Sequence, residues 1–539
     1  VTVTLAVSAV LLFARLGHYP LWDDESHTCL TAQGVWETGD TSVEHGKNLT
    51  LYRNGLLARH RRERSSPPLQ FYIAAPFVAL GGTSSLAPRI PFALFGFASI
   101  ALMLRWAWRD NVDKCTLLLL CIALIGNVSL MLYLRQARYY SVMIFLAVAV
   151  AYLYWNLVSR RAILVHAGLS VLLLASNYLA YAAVMAAMAV DYLIWGRKRR
   201  PIRGVEWLIL LLPQALIGGA ILMIWNPLRI SAGDPSSDRG WLIDRFTLLW
   251  WTIRDADRCE FACAWLMILA IPVSIWKKSQ PLARALVAMA IGILVIDLAS
   301  PQTPRAIDTA DVRYFACLIP LGIWIGVMTL RLLVGNFCWV ALIVAPIAFW
   351  SNLLNISVFT FQSPRCTILK FANELVHPVP TPYRAAIDWI NGHVQPGQSI
   401  AVLPNYYMYP LMFHCPQAIY AWQLQPEQRS APEFKDLPPI HFMGQDTPNY
   451  IIAFGPVVGE LIRGYHPPLG INYALSDILD VYWKDAYRPE LMWRTFVPIP
   501  VNKDQGTAIY IFKKSLVPVQ PAPPSPTQPP PSPPSDFHL

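Results

Sequence analysis

The sequence predicts a polytopic α-helical membrane protein of about eleven transmembrane helices, with a long extracytoplasmic first loop and a small C-terminal α/β domain outside the membrane. Three observations predict it. Of 539 residues, 55% are hydrophobic and 14% charged, with a mean hydropathy of +0.39, whereas a soluble domain carries about 25% charged residues. Apolar runs recur at the length a bilayer needs, roughly 20 residues at 1.5 Å each for about 30 Å of hydrocarbon. After Leu354 the composition turns mixed polar, with no further apolar run of that length.

The candidate spans are Leu5–Gly17, Ile90–Trp108, Thr116–Leu134, Ser141–Val158, Ile163–Ala175, Leu179–Trp195, Trp207–Trp225, Phe261–Trp276, Leu286–Ala299, Phe315–Leu330 and Cys338–Leu354. The first is too poor in flanking basic residues to read as a cleaved signal peptide. Arg109 and Lys114, Arg160 and Arg161, Arg197–Arg203, Lys277, Lys278 and Arg284, and Arg331 fall on one face if the N terminus is cytoplasmic. The net charge of +10 therefore reads as a topology signal, and nucleic acid is not expected as a partner. The basic run Arg59–Arg64 opposes this bias, but it lies in a loop of about 70 residues, and long loops escape the rule.

That loop, residues 18–87, belongs with the membrane module at residues 1–355. It contains the amphipathic stretch Asn48–Arg59 and the apolar run Leu69–Leu80, too short to cross and suited to the interface. Pro67 and Pro68 fix the chain before that run, so the loop reads as a folded lid. Residues 356–516 read as the outer α/β domain. Thr381–Asn391 has helical periodicity, Ser399–Leu403, Tyr450–Phe454 and Thr507–Lys513 look like strands, and Arg488–Arg494 reads as a short helix. Residues 517–539 are Pro-rich and read as an extended, disordered tail.

Nine cysteines show no metal-like pairing. Cys115, Cys121, Cys317 and Cys338 fall in or near spans as small apolar residues, while Cys366 and Cys415 are the pair placed to form a disulfide in the outer domain. Asn48-Leu49-Thr50 and Asn355-Ile356-Ser357 match the glycosylation acceptor pattern.

Chemistry is sought where charge meets the outer mouth of the bundle, because ionisable groups there are costly. Asp23, Asp24 and Glu25 follow the first span directly. At the same surface, Arg135 and Arg138 lie three residues apart beside Tyr139 and Tyr140, Arg313 and Tyr314 precede the tenth span, and Arg89 follows the interfacial run. Guanidinium forks suit phosphate, although an Arg-Tyr pair at a span end also serves as an interfacial anchor. Several cations facing carboxylates suit a site that holds an anionic lipid headgroup and removes a proton beside it.

Trp22-Asp23-Asp24-Glu25, Ser66-Pro67-Pro68-Leu69 with Gly81-Gly82 and Ala87-Pro88-Arg89, Gln136-Ala137-Arg138-Tyr139-Tyr140-Ser141, and Arg313-Tyr314 together resemble the polyprenyl-phosphate-sugar glycosyltransferases. These form the GT-C superfamily, of the protein mannosyltransferase and aminoarabinose transferase type. The resemblance covers residues 5–354 and implies a GT-C bundle that transfers a sugar from a lipid phosphate to a protein, lipid or glycan acceptor on the extracytoplasmic face of the inner membrane. It implies that Asp24 is the base, with Glu25 beside it and Asp23 an extra acid that blurs the register by one. Arg138 and Arg313 would bind the donor phosphate, with Arg89, Arg135 and Tyr139 in support. The family's basic residue before Pro-Pro-Leu is Ser66 here, a place that Arg64 or Arg89 would have to fill. An Asp stands at the position of Arg138 in aminoarabinose transferases, which disfavours lipid A modification. Asp23 and Asp24 are hard ligands that suit a divalent cation, but two carboxylates do not define a site. A lipid-linked substrate transporter or flippase, and a noncatalytic cell-envelope assembly protein, are the alternatives. The transporter is disfavoured by mid-span positions that are almost wholly apolar and by the lack of a repeat.

Overall fold

The computed structural model describes residues 1–51, 58–157, 159–226, 240–258, 264–301, 312–354, 366–378, 380–455, 471–481 and 508–516. It opens with α1 (Thr2–Phe13) and then α2 (Asp23–Thr38), a helix the sequence reading did not assign. Two short hairpins follow, β1 (Glu44–His45) with β2 (Asn48–Leu49) and β3 (Ala58–Arg59) with β4 (Arg62–Glu63). The stretch Asn48–Arg59 thus has a two-residue strand at each end, and residues 52–57 lie outside the described residues. The apolar run of the first loop forms α3 (Leu69–Gly81), followed by α4 (Leu86–Arg109).

α2 ends at Gly39, whose φ of +74° is the left-handed C-cap that glycine adopts without strain. The hairpins then fold back over the helix. At Gly34 a Cβ would lie 2.3 Å from the Ser42 carbonyl oxygen, so only glycine lets the hairpin approach this closely.

The run Thr116–Leu134 is not one straight span. It divides into α5 (Lys114–Gly126) and α6 (Val128–Leu134), bent by 63°. Asn127 causes the break: its backbone is extended and its side chain accepts the Leu130 N–H at 2.8 Å, starting a new helix. At Gly96 on α4 a Cβ would meet Leu134 Cβ at 2.7 Å, and this close crossing sets the end of α6, and with it the turn carrying Arg135 and Arg138, beside α4. α7 (Tyr140–Trp155) follows.

Among the described residues, five helices are long and apolar enough to cross a bilayer: Leu86–Arg109, Tyr178–Arg199, Gly204–Ile224, Gln280–Ala299 and Val312–Val334. The α5–α6 pair makes a sixth if counted as one span. The other expected spans fall on shorter helices, Thr2–Phe13, Tyr140–Trp155, Arg160–Ser176, Ala264–Trp276 and Cys338–Trp350, so length and composition alone give five or six crossings rather than eleven.

The helix Trp241–Arg258 was not foreseen. It turns Trp241, Leu242, Phe246 and Trp250 outward and Asp244, Leu248 and Asp255 inward. An outward apolar, Trp-bearing face suits the bilayer interface. Arg245 ties it to the bundle by donating to the carbonyls of Asp297 (2.8 Å) and Ser300 (3.0 Å) at the end of Gln280–Ala299.

The C-terminal region is built on a five-stranded sheet of β5 (Ser399–Leu403), β6 (Ile419–Tyr420), β7 (Tyr450–Phe454), β8 (Ile471–Leu479) and β9 (Ile509–Leu516), ordered β6-β5-β7-β9-β8. β5 is parallel to both its neighbours, and β9 is antiparallel to β7 and β8. Every residue of β7 is buried, which explains its unbroken apolar sequence Tyr450-Ile451-Ile452-Ala453-Phe454. The helix anticipated at Thr381–Asn391 spans Pro382–His393, with the Thr381 hydroxyl capping the Arg384 N–H. Helices Thr367–Val376 and Met408–His414 are additional. The expected helix Arg488–Arg494 and the tail from 517 lie outside the described residues.

Cys366 and Cys415 do not pair; the disulfide joins Cys115 to Cys338. Cys366 faces the Trp350 carbonyl, whereas Cys415 is buried against Ile387, so the two thiols point at different neighbours. Asn48 is an unsuitable glycan acceptor because its amide is buried, donating to Ala418 O and accepting from the Tyr420 N–H, both at 2.8 Å. Asn355 lies outside the described residues.

Candidate active site

α2 begins at the three acids. Carboxylates are favoured in a first helical turn, where the backbone N–H groups lack intrahelical partners. Asp23 Oδ1 accepts the Asp24 N–H at 2.6 Å, and Glu25 Oε2 accepts the Trp22 N–H at 3.4 Å. Asp23 is 7% exposed, Asp24 3% and Glu25 0%. Three consecutive buried carboxylates are stable only beside cations, and three arginines from distant parts of the chain converge on them.

Glu25 pairs with Arg89 of α4. Arg89 Nε and NH2 contact the carboxylate at 2.8 and 2.5 Å. The guanidinium also donates to the carbonyls of Leu16 (3.0 Å), Tyr19 (2.8 Å) and Pro20 (3.1 Å), which occupies its whole donor fork. Glu25 accepts in addition the Ala137 N–H at 2.7 Å. Both groups are saturated, and their work is to join α4, the segment before α2 and the 135–139 turn.

Asp24 is held differently. Its Oδ2 takes Arg313 NH1 at 2.6 Å, and its Oδ1 lies 3.5 Å from Arg138 NH2. Arg138 NH1 donates to the Asp24 carbonyl (2.9 Å) and to Thr28 Oγ1 (3.1 Å), one turn further along α2. Thr28 contacts Gln70, which reaches the Pro67 carbonyl and so links the site to α3. Arg138 Nε is buried without a hydrogen-bond partner among the described residues. Its guanidinium lies 5.2 Å from the Tyr139 ring, and Tyr139 packs on Tyr140 at 4.5 Å. Two guanidinium groups are therefore pinned side by side at Asp24, and Arg138 keeps an N–H without a partner among the described residues.

Asp23 has one hydrogen bond among the described residues, the Asp24 N–H, which leaves an oxygen open. Burial, together with the Asp24 charge, pushes its carboxyl up to about 8.

Two expected contributors stand elsewhere. Arg135 donates to the carbonyls of Leu11 and Ala14 at the end of α1 and stacks 5.7 Å from the Phe371 ring; burial, with Arg89 nearby, lowers it to about 9. Arg64 is bound by Asp40 and Thr41, and Trp225 lies against it. Neither it nor Arg89 takes the place of a basic residue at Ser66. Ser66 instead gives its N–H to Glu63, whose carboxylate lies 3.5 Å from His27 Nε2.

Sequence reasoning missed Thr28, Gln70, His27, Glu63 and Tyr409, whose ring lies 6.4 Å from that of His27. His27 and Thr28 carry a signal, since they follow Asp23 and Asp24 by one helical turn. Glu63 and Tyr409 are distant in sequence and carry none. The residues present do not fit a divalent cation: Asp24 is already neutralised by two guanidinium groups, and among the described residues no three metal-ligating side chains converge.

No family model and no curated protein sequence matches the chain. The structure is similar to that of ArnT from Cupriavidus metallidurans in the apo state, with a TM-score of 0.55 and 12% identity over 95% of this chain and 97% of that one. It is equally similar to ArnT bound to undecaprenyl phosphate, with a TM-score of 0.55, 10% identity and the same coverage. The chain therefore shares the fold of ArnT from Cupriavidus metallidurans.

Proposed function

We propose that this chain is a membrane glycosyltransferase that moves a sugar from a polyprenyl-phosphate donor to an acceptor hydroxyl on the extracytoplasmic face. The observation that carries the reading is the pair of guanidinium groups, Arg138 and Arg313, held against Asp24 with Asp23 beside them. The likeness to ArnT bound to undecaprenyl phosphate supports the donor class. In this reading the N terminus is cytoplasmic, residues 1–355 form the catalytic module, residues 356–516 lie outside, and membrane lipids surround the bundle.

Asp23 acts in its ionised form, a fraction that grows as pH rises toward 8: its open oxygen takes the proton of the acceptor hydroxyl while the hydroxyl oxygen bonds to the anomeric carbon. The bond from that carbon to the phosphate oxygen breaks, and the departing polyprenyl phosphate leaves its charge with Arg138 and Arg313. The motif points to Asp24 as base, but the geometry favours Asp23, because Asp24 is the counter-ion that aims both arginines. The experiment is transfer of radiolabelled sugar from a panel of polyprenyl-phosphate donors by membranes containing the wild type, Asp23→Asn, Asp24→Asn or Arg138→Ala. Wild-type transfer abolished in all three variants supports the reading; absence of transfer from every donor refutes it.

A further inference from the structure

The segment that leads into the acids, residues 16–22, has no regular secondary structure to fix it. Two sets of side chains hold it. Arg89 takes the carbonyls of Leu16, Tyr19 and Pro20. The other set comes wholly from the C-terminal region. Arg384 NH2 donates to His18 O at 3.2 Å, the Tyr19 hydroxyl donates to Glu374 Oε1 at 2.7 Å, and the Leu21 N–H donates to His414 Nε2 at 3.2 Å.

His414 stands two residues from Asp23 through that last bond. Its other nitrogen, Nδ1, lies 2.8 Å from the Thr83 carbonyl in the turn between α3 and α4, and Ser85 Oγ is 3.4 Å from Nε2. A carbonyl can only accept and a backbone N–H can only donate, so the two contacts together require the neutral ring with its proton on Nδ1. Burial, followed by the Arg89 and Arg384 charges, lowers its pKa to about 4, so the ring is neutral across the working range. The helix that bears it, Met408–His414, packs along α2, with Tyr409 6.4 Å from the His27 ring and within electrostatic reach of Asp23 and Glu63. The charged or titratable groups around this helix are Asp23, His27 and Glu63 from the first loop, Arg89 from α4, and Arg384 and Asp388 from Pro382–His393.

We infer that the C-terminal region is an integral part of the catalytic unit, and that His414 is a positioning residue that sets Asp23 and Asp24 by clamping Leu21 N–H to the α3–α4 turn. The inference rests on the glycosyltransferase reading for its activity readout, but its structural content is independent of it. A carboxylate displaced by about 1 Å costs about 100-fold in rate, so the clamp matters although His414 touches no substrate.

The test uses the full chain with His414→Ala and His414→Gln. Gln offers one acceptor and one donor of similar reach but cannot titrate. Expected are a fall in kcat of about 10- to 100-fold in His414→Ala with donor KM within about 3-fold of wild type, and recovery of most of that kcat in His414→Gln. Amide hydrogen exchange in the 16–24 segment rises in His414→Ala and returns toward wild type in His414→Gln. Wild-type kcat in His414→Ala, a loss confined to KM, or equal losses in both variants would overturn the inference. The exchange measurement separates the two readings. If the wild type transfers no sugar yet exchange still rises in His414→Ala, the glycosyltransferase reading fails and the clamp stands. If the wild type transfers sugar and exchange is unchanged in His414→Ala, the clamp fails alone.

Discussion

Two buried acid–arginine clusters, at opposite ends of the helix Tyr140–Trp155, are built to opposite rules. At the end away from Asp23, Asp24 and Glu25, Asp191 takes Arg284 through both oxygens at 2.7 and 2.6 Å and also accepts the Tyr154 hydroxyl at 2.6 Å. Arg284 lies between the Trp155 and Trp195 rings at 4.2 and 5.9 Å. That pair is closed, bidentate and capped by aromatic rings. At the other end Asp24 is shared between two arginines, Arg138 keeps a buried Nε–H without a partner among the described residues, and Asp23 keeps an open oxygen. A closed pair fixes helices; an open cluster has capacity left for a substrate.

The sharpest way to break this comparison is to neutralise one acid in each cluster. Asp23→Asn is expected to lower sugar transfer by about 100- to 10,000-fold without lowering the melting temperature, since it removes the proposed general base and no counter-ion. Asp191→Asn should do the reverse. It strands a buried arginine, at a cost of about 3–5 kcal/mol, and should leave kcat per folded molecule near wild type. Equal activity losses in the two variants, measured on protein quantified as folded, would erase the distinction.

A smaller effect separates Arg138 from Arg89 within the outer cluster. Arg138→Lys keeps the charge and loses the planar fork, so kcat should fall about 10- to 100-fold with little change in stability. Arg89→Lys keeps a charge beside Glu25 but cannot reach three carbonyls and a carboxylate together. It should appear in thermal unfolding before it appears in kcat per folded molecule. If Arg89→Lys instead weakens donor binding selectively at unchanged melting temperature, Arg89 belongs among the phosphate ligands after all.

How far the sequence reached follows the range of the interactions involved. The membrane class, β5, β7 and the α3 run were legible because hydrophobic period and composition are local properties. The acids and Arg138 were legible because charge at a membrane mouth is conspicuous. The sorting of the arginines was not. Arg89, Arg135, Arg138 and Arg313 look alike in sequence, and only the fold shows that Arg89 and Arg135 are occupied by carbonyls while Arg138 and Arg313 meet at Asp24. The break at Asn127 was hidden because the apolar run continues through it, and α2 was hidden because its buried face is polar, with Thr28 and Thr31 among its buried residues. The Cys115–Cys338 pair joins residues 223 apart, a separation at which spacing says nothing.

A pH series tests the electrostatics of the open cluster directly. Asp23 is shifted upward, from 3.8 to about 8, so between those values the folded chain keeps a proton that the unfolded chain has lost. Stability associated with this group is present in full below about pH 4, declines as pH rises through the window, and is gone above about pH 8, because unfolding releases the proton. Asp23→Asn removes the titration, so the melting temperature of the variant should exceed that of the wild type by a margin that widens from pH 5 to pH 8. Asp40, outside the cluster, supplies the control. The Arg64 hydrogen bond holds it down at about 2, so its contribution is present above its ordinary value and is lost only as pH falls toward 2. The gap between wild type and Asp40→Asn should therefore stay level from pH 5 to pH 8. A level gap for Asp23→Asn as well would mean that Asp23 is ionised in the folded chain throughout that range and competent as base at every pH in it, whereas a widening gap with sugar transfer that does not rise from pH 6 to pH 8 would move the base to Asp24, freed when the donor phosphate draws Arg138 and Arg313 away from it.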